Sequence, residues 1–144
     1  PILRVHYNVI GLTICFEVGV LSRFRKVGNY LSYCRLVDSQ CTSNEKKKGE
    51  NNRKSGNKYL CWAYIEAANF AKRYCPYANV YFKHKLKESG KTVVATKALA
   101  AKLARATFYM MVKDEPYNPE KAFKNFSEKA KTVVLPKRGR GSKP

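Results

Sequence analysis

The chain has 144 residues, 44% of them hydrophobic and 12% aromatic, which excludes a compositionally disordered polymer and fits one domain with a modest core. With 29 Lys and Arg against 10 Asp and Glu, the formal net charge is +19, so the expected partner is a polyanion, nucleic acid first and an acidic membrane surface second. The net charge is +3 over residues 1–40, +4 over 41–60, +6 over 61–115 and +6 over 116–144, the spread of a folded basic surface more than of a basic tail.

The sequence starts at Pro1 without Met and reads as a piece cut from something longer. The first apolar run, Val9–Val20, is too short for a membrane span and is interrupted by Glu17. No signal peptide is visible. Val9–Val18 predicts a buried helix, with Gly19 as its stop. Phe24 to Val37 carries Phe24, Val27, Tyr30, Leu31 and Cys34 at helical spacing, although Gly28 costs such a helix about 1 kcal/mol relative to Ala. The polar stretch Asp38–Gly56 is too long for a routine connection and predicts a functional or mobile loop. Asn57 is the expected cap of a helix over Lys58–Tyr74. Its apolar face is Leu60, Ala63, Tyr64, Ala67, Phe70, Ala71 and Tyr74, and Cys75-Pro76 ends it. Ala67, Ala68 and Ala71 are small enough for another helix to approach closely. A shorter helix is expected over Tyr77–Lys87, closed near Gly90. Thr92 opens the clearest helix, Val93–Val112, with an apolar stripe at Leu99, Leu103, Ala106 and Met110. Lys97, Lys102 and Arg105 lie off that stripe, the last two on one face. Pro116 and Pro119 break the pattern, and Glu120–Ala130 predicts a short amphipathic piece. Thr132–Leu135 is the one mild strand candidate. The fold class expected is mainly α: a compact helical domain over 1–130, a long basic loop between the second and third helices, and an irregular, disordered basic tail over 131–144.

Five cysteines occur, Cys15, Cys34, Cys41, Cys61 and Cys75, with no CxxC pair, and the two histidines, His6 and His84, lie near none of them. No metal site is expected in this chain. The thiols read as small hydrophobes kept reduced, which fits a cytoplasmic setting.

The stretch Gln40–Leu60, QCTSNEKKKGENNRKSGNKYL, carries the chemistry. Lys46, Lys47, Lys48, Arg53, Lys54 and Lys58 supply cations for phosphates. Asn44, Asn51, Asn52 and Asn57 add neutral donors. Tyr59 and Trp62 suit base stacking, a core or a helix surface equally. A solvated basic loop has the same composition. Ser43 sits before the lysine triplet in a positive field, but no base and no set of metal-binding acids accompanies it, and serines in polar loops are mostly turn formers. From the residues alone, a phosphate-binding loop and a plain surface loop both stand.

Three stretches carry a resemblance: VGNYLSYCRLV (Val27–Val37), SNEKKKGENNRKSGNKYLCWAYIEAANFAKRY (Ser43–Tyr74) and KALAAKLARATFYMM (Lys97–Met111). In that order they resemble the C-terminal domain of insertion-sequence transposases of the one-ten, one-sixteen and nine-oh-two type, over about Gly11 to Phe123. The resemblance implies DNA transposition, in which an N-terminal DEDD domain, resembling a Holliday-junction resolvase and holding divalent metal (Mg), joins this serine domain in a composite site. That domain is not among these residues, so a transposase fragment is expected, inactive by itself. The resemblance further implies a structured guide RNA, DNA as substrate, a homo-oligomer, a bacterial or archaeal cytoplasm with nucleoid association, and no membrane partner. It places the nucleophile on Ser43, which attacks the DNA backbone to give a phosphoserine link. The nucleic-acid contacts expected are Asn44, Lys46, Lys47, Lys48, Arg53, Lys54, Asn57, Lys58, Lys97, Lys102 and Arg105. This chain has Glu45 where the family has glycine after Ser-Asn, Asn51 at a second glycine position, RVHYN (Arg4–Asn8) in place of a glycine hairpin, and Val20 in place of an acid. The alternative is a non-catalytic basic nucleic-acid-binding module. Membrane-surface binding by basic amphipathic helices is a third reading.

Overall fold

The computed structural model describes residues 2–37, 40–43, 46–50 and 55–132, with side chains over 8–37 and 55–132. The described chain is mainly helical. In order come α1 (Ile2–Val18), a single 3-10 turn (Leu21–Arg23), α2 (Val27–Tyr33), β1 (Gln40–Ser43), β2 (Lys46–Glu50), α3 (Lys58–Tyr74), α4 (Pro76–Ser89), α5 (Thr92–Lys113), α6 (Pro119–Ala122), a second 3-10 turn (Lys124–Phe126) and α7 (Ser127–Lys131).

Most boundaries follow from local chemistry. The first helix runs seven residues further toward the N-terminus than its apolar core requires, taking in the Arg4–Asn8 stretch, and Gly19 leaves it at φ +59. Helix α3 has the expected limits: Asn57 caps it, its Oδ1 accepting from the Tyr59 and Leu60 amides at 2.8 and 3.0 Å, and Pro76 starts α4 at a position where no amide donor is needed. Gly90, at φ +67, closes α4. Two helices end on non-glycine residues in the left-handed region, α2 at Arg35 (φ 56) and α5 at Asp114 (φ 52). The Arg35 amide donates to the Ser32 carbonyl and the Leu36 amide to that of Leu31, at 3.0 and 3.1 Å, the paired bonds of a Schellman end. This is why α2 stops at Tyr33 and does not continue to Val37.

The core is built by α2, α3, α4 and α5. Tyr30, Leu31, Cys34, Leu60, Tyr64, Ala68, Ala78, Leu99, Ala100 and Ala104 are buried together, joined by Val18, Leu36, Phe108 and Phe123. The alanines of α3 and α5 let these helices meet closely, as the small residues predict. The apolar stripe of α5 turns as it proceeds: Ala104 and Phe108 face the core, whereas Ala106 and Met110, expected there, border a surface cavity. At the centre, the Tyr30 and Tyr64 hydroxyls are 2.6 Å apart, with Phe24 and Phe108 against the Tyr30 ring at 5.2 and 5.4 Å. Burial raises the pKa of both phenols and pushes the Cys34 thiol up to about 12.

The stretch expected as a basic loop contains a two-stranded antiparallel ribbon. Its strands were not legible because neither QCTS nor KKKGE alternates apolar with polar residues. Of Thr132–Leu135, Thr132 is a turn residue after α7, and the rest lies outside the described residues, as does 133–144 of the expected tail. Among the described residues, no helix is long and apolar enough to cross a membrane.

Candidate nucleic-acid interface

In the ribbon, Ser43 pairs with Lys46, Thr42 with Lys47 and Gln40 with Glu50. One residue, Cys41, separates Gln40 from Thr42, whereas two, Lys48 and Gly49, separate Lys47 from Glu50, so β2 carries a bulge. Ser43 is therefore the last residue of β1 at the turn end, with the backbone of the lysine triplet running back beside it. Asn44, Glu45, Asn51, Asn52, Arg53 and Lys54 lie outside the described residues.

The segment Ser55–Asn57, which enters α3, is held to α1 and to the end of α2 by a set of polar contacts. The Asn57 amide donates to the Tyr33 carbonyl at 2.7 Å. Arg35 Nε donates to the Ser55 carbonyl at 2.9 Å and Nη2 to the Gly56 carbonyl at 3.1 Å. Gly56 has φ +91, and a Cβ there would stand 2.5 Å from the Tyr33 oxygen, so only glycine passes between the end of α2 and the start of α3. Asn57 Nδ2 donates to Glu17 Oε2 of α1 at 2.6 Å. Asn57 thus caps α3 and ties it to α1 and α2. Asn57, expected to contact nucleic acid, spends its carbonyl oxygen and its amide on this structural role. Glu17 and Arg35 were not singled out as site residues. The signal for Glu17 was its interruption of an apolar run; Arg35 gave none, because Ser55 and Gly56 accept through backbone carbonyls, twenty and twenty-one residues away.

Beside this segment, the first turns of α3 present Tyr59 (54% exposed) and Trp62 (46% exposed) one helical turn apart, with Lys58 Nζ 5.1 Å from the Tyr59 ring centroid. Of the stacking, core and surface roles open to these aromatics, the core is excluded. A second cation–aromatic group lies on the preceding segment, where the Arg23 guanidinium is 4.6 Å from the Phe24 ring and 4.5 Å from the Tyr33 ring.

A model of the Transposase IS116/IS110/IS902 family matches residues 8–83, more than half of the chain. The chain belongs to that family. The matched span of this transposase-family chain takes in α1 from Asn8 onward, α2, the ribbon, α3 and the first half of α4. It contains Ser43 and every expected contact from Asn44 to Lys58, and it ends before Lys97, Lys102 and Arg105. No curated protein and no solved structure matches the chain.

The expected contact residues do not form one surface. Lys102 and Arg105 share a face as expected and line a cavity of about 330 Å³ between α5 and the segment Glu115–Ala122, to which, among the described residues, neither the ribbon nor α3 contributes. Lys97, five residues before Lys102, is about 140° away round the helix and does not line that cavity. Burial, then repulsion from Arg105, lowers the pKa of Lys102. His84 packs on Phe126 at 5.2 Å and lies 3.3 Å from Glu88, far from any serine site in sequence. Cys15, Cys34, Cys61 and Cys75 are free thiols. Among the described residues no three His, Cys, Asp or Glu come together.

Proposed function

We propose that this chain is the DNA-binding serine domain of a transposase, and that the ribbon Gln40–Glu50 is the wall it lays against a DNA backbone. The observation that supports the reading is the set of contacts that holds Ser55–Asn57, the entry to α3, against α1 and the end of α2. A plain surface loop needs no arginine fork, no obligatory glycine and no three-way asparagine at its base. A wall of a reaction site needs a rigid element to start from, and α3 begins at such an anchor. Ser43, at the turn end beside Lys46, is the nucleophile. Its Oγ gives its proton to a base supplied by the DEDD domain and bonds to phosphorus as the P–O bond to a deoxyribose oxygen breaks. The departing oxygen takes up a proton, and the strand end is held as a phosphoserine. Lys46, Lys47 and Lys48 neutralise the phosphates on either side. Tyr59, Trp62 and Lys58 extend the surface along α3. A structured guide RNA, divalent metal on the DEDD domain and a second copy complete the assembly.

The test is duplex DNA affinity measured against salt concentration, for the wild type and a Lys46→Ala/Lys47→Ala/Lys48→Ala variant. Each lost phosphate contact lowers the slope of log K against log salt by about 0.9, so the variant is expected to lose about 2–3 units of slope. Equal slopes would place the DNA elsewhere, and a flat wild-type response would remove the nucleic-acid reading altogether. A steep slope without any serine adduct in the reconstituted assembly would favour the non-catalytic binding module.

A further inference from the structure

The cavity between α5 and α6 is made wholly of residues beyond the family match. Its walls combine three features. Lys102, Arg105 and Lys113 are in no salt bridge among the described residues; the one acid on the rim, Glu115, is bonded by Lys121 at 2.7 Å and has Lys113 as a second, weaker neighbour. Tyr109 and Tyr117 are both on the wall and both partly exposed, at 46% and 41%. Met110, with the adjoining alanines and proline, lines the rest. Its volume, about 330 Å³, is at the small end of ligand sites. Lys102 and Arg105 are one turn apart on α5 and repel each other, a strain that an anion between them relieves. Burial pushes the Tyr117 hydroxyl up to about 12, so it remains a neutral donor at working pH. Two aromatic side chains, beside three cations that outnumber the single acid on the rim, suit a base and its flanking phosphates.

We propose that this cavity takes one unpaired nucleotide of a nucleic-acid strand, its base against Tyr109 and Tyr117 and its phosphates on Lys102, Arg105 and Lys113. The proposal rests on the nucleic-acid reading above and gives that reading a second subsite that recognises an unstacked base, apart from the ribbon. A phosphorylated peptide offers the same anion without the base, and a free nucleotide offers the base without the strand.

The experiment uses the full chain and three probes: a short single-stranded oligonucleotide, its fully abasic counterpart with the same phosphates, and adenosine monophosphate. The wild type is expected to bind the base-bearing strand about tenfold more tightly than the abasic one. Tyr109→Ala and Tyr117→Ala are expected to bring the two affinities together. Tyr59→Ala/Trp62→Ala and the triple lysine variant of the ribbon are expected to keep the tenfold ratio while binding both strands more weakly. Equal wild-type affinity for the two strands, with salt dependence retained, overturns the cavity proposal and leaves the ribbon reading standing. Discrimination that follows Tyr59 and Trp62 instead also overturns it, as does adenosine monophosphate binding as tightly as the strand. Loss of salt-dependent binding to every probe overturns both readings. The wild-type comparison needs no variant to fold.

Discussion

Gly56→Ala should be the most damaging single methyl group that can be added to this chain. At φ +91 an L-residue is strained, by about 1–2 kcal/mol on the scale of left-handed backbone. The new Cβ would lie 2.5 Å from the Tyr33 carbonyl oxygen and 3.2 Å from Arg35 Cγ. The first neighbour is backbone and cannot swing aside, so the chain must move. The move pulls on the Asn57 amide bond to that same oxygen, now 2.7 Å long and worth about 1 kcal/mol, and on the Asn57 cap, worth about 1 kcal/mol more. A total of about 2–4 kcal/mol follows, a fall in Tm of roughly 7–13 °C for a chain of this length. Gly28→Ala is the control. A Cβ there meets nothing within 4 Å, and inside α2 it should stabilise by about 0.5–1 kcal/mol. Urea unfolding of both variants measures the pair. Opposite signs support the geometry at Ser55–Asn57; a Gly56→Ala variant within about 0.5 kcal/mol of wild type would refute it.

Asn57→Ala removes the cap of α3 and the Glu17 contact together and should cost about 1–3 kcal/mol, whereas Asn57→Asp keeps the cap acceptor but sets a carboxylate beside Glu17; unfolding of the two should show that the second loses only the α1 tie. Thiol labelling with a disulfide reagent at pH 8 should modify the exposed Cys15 quickly, while Cys34, buried and raised to about 12, should react only at the rate of unfolding. Stability should fall in alkali: the Cys34 thiol ionises near 9.0 when unfolded and near 12 when folded, and Tyr30 and Tyr64 are raised as well. The unfolded chain therefore releases protons first, and the urea midpoint should decline from about pH 9 upward. Tyr30→Phe should weaken that decline at some cost to the buried hydroxyl pair, and an unchanged pH profile in that variant would count against the burial argument.

The helical class and the limits of α3 were legible because their signals are local. An asparagine before a periodic run and a Cys-Pro after it fix both ends without reference to the rest of the chain. The end of α2 was not, since Arg35 adopts a conformation normally left to glycine and is held there by carbonyls at residues 55 and 56. The stripe of α5 was half legible: Leu99 is core as expected, but Ala106 and Met110 follow the cavity and Phe108 takes the core position. The ribbon was hidden by its composition, a polar first strand and a lysine-rich second giving no alternation to read. Part of the motif that carries the family resemblance has a structural reason. In GNKYL, Gly56 fits where no Cβ can, Asn57 caps and ties, and Leu60 is buried. The cavity was out of reach because its two sides, 102–113 and 115–122, are brought face to face by the left-handed turn at Asp114 (φ 52), a conformation an aspartate does not announce.

The most direct test of the account is a search for a covalent link at Ser43. The chain is combined with a family DEDD domain, guide RNA and target DNA, the protein is digested, and the peptide spanning Gln40–Lys46 is weighed. A mass added by a nucleotide fragment on that peptide, absent in Ser43→Ala, is the predicted result. An adduct that persists in Ser43→Ala would contradict it.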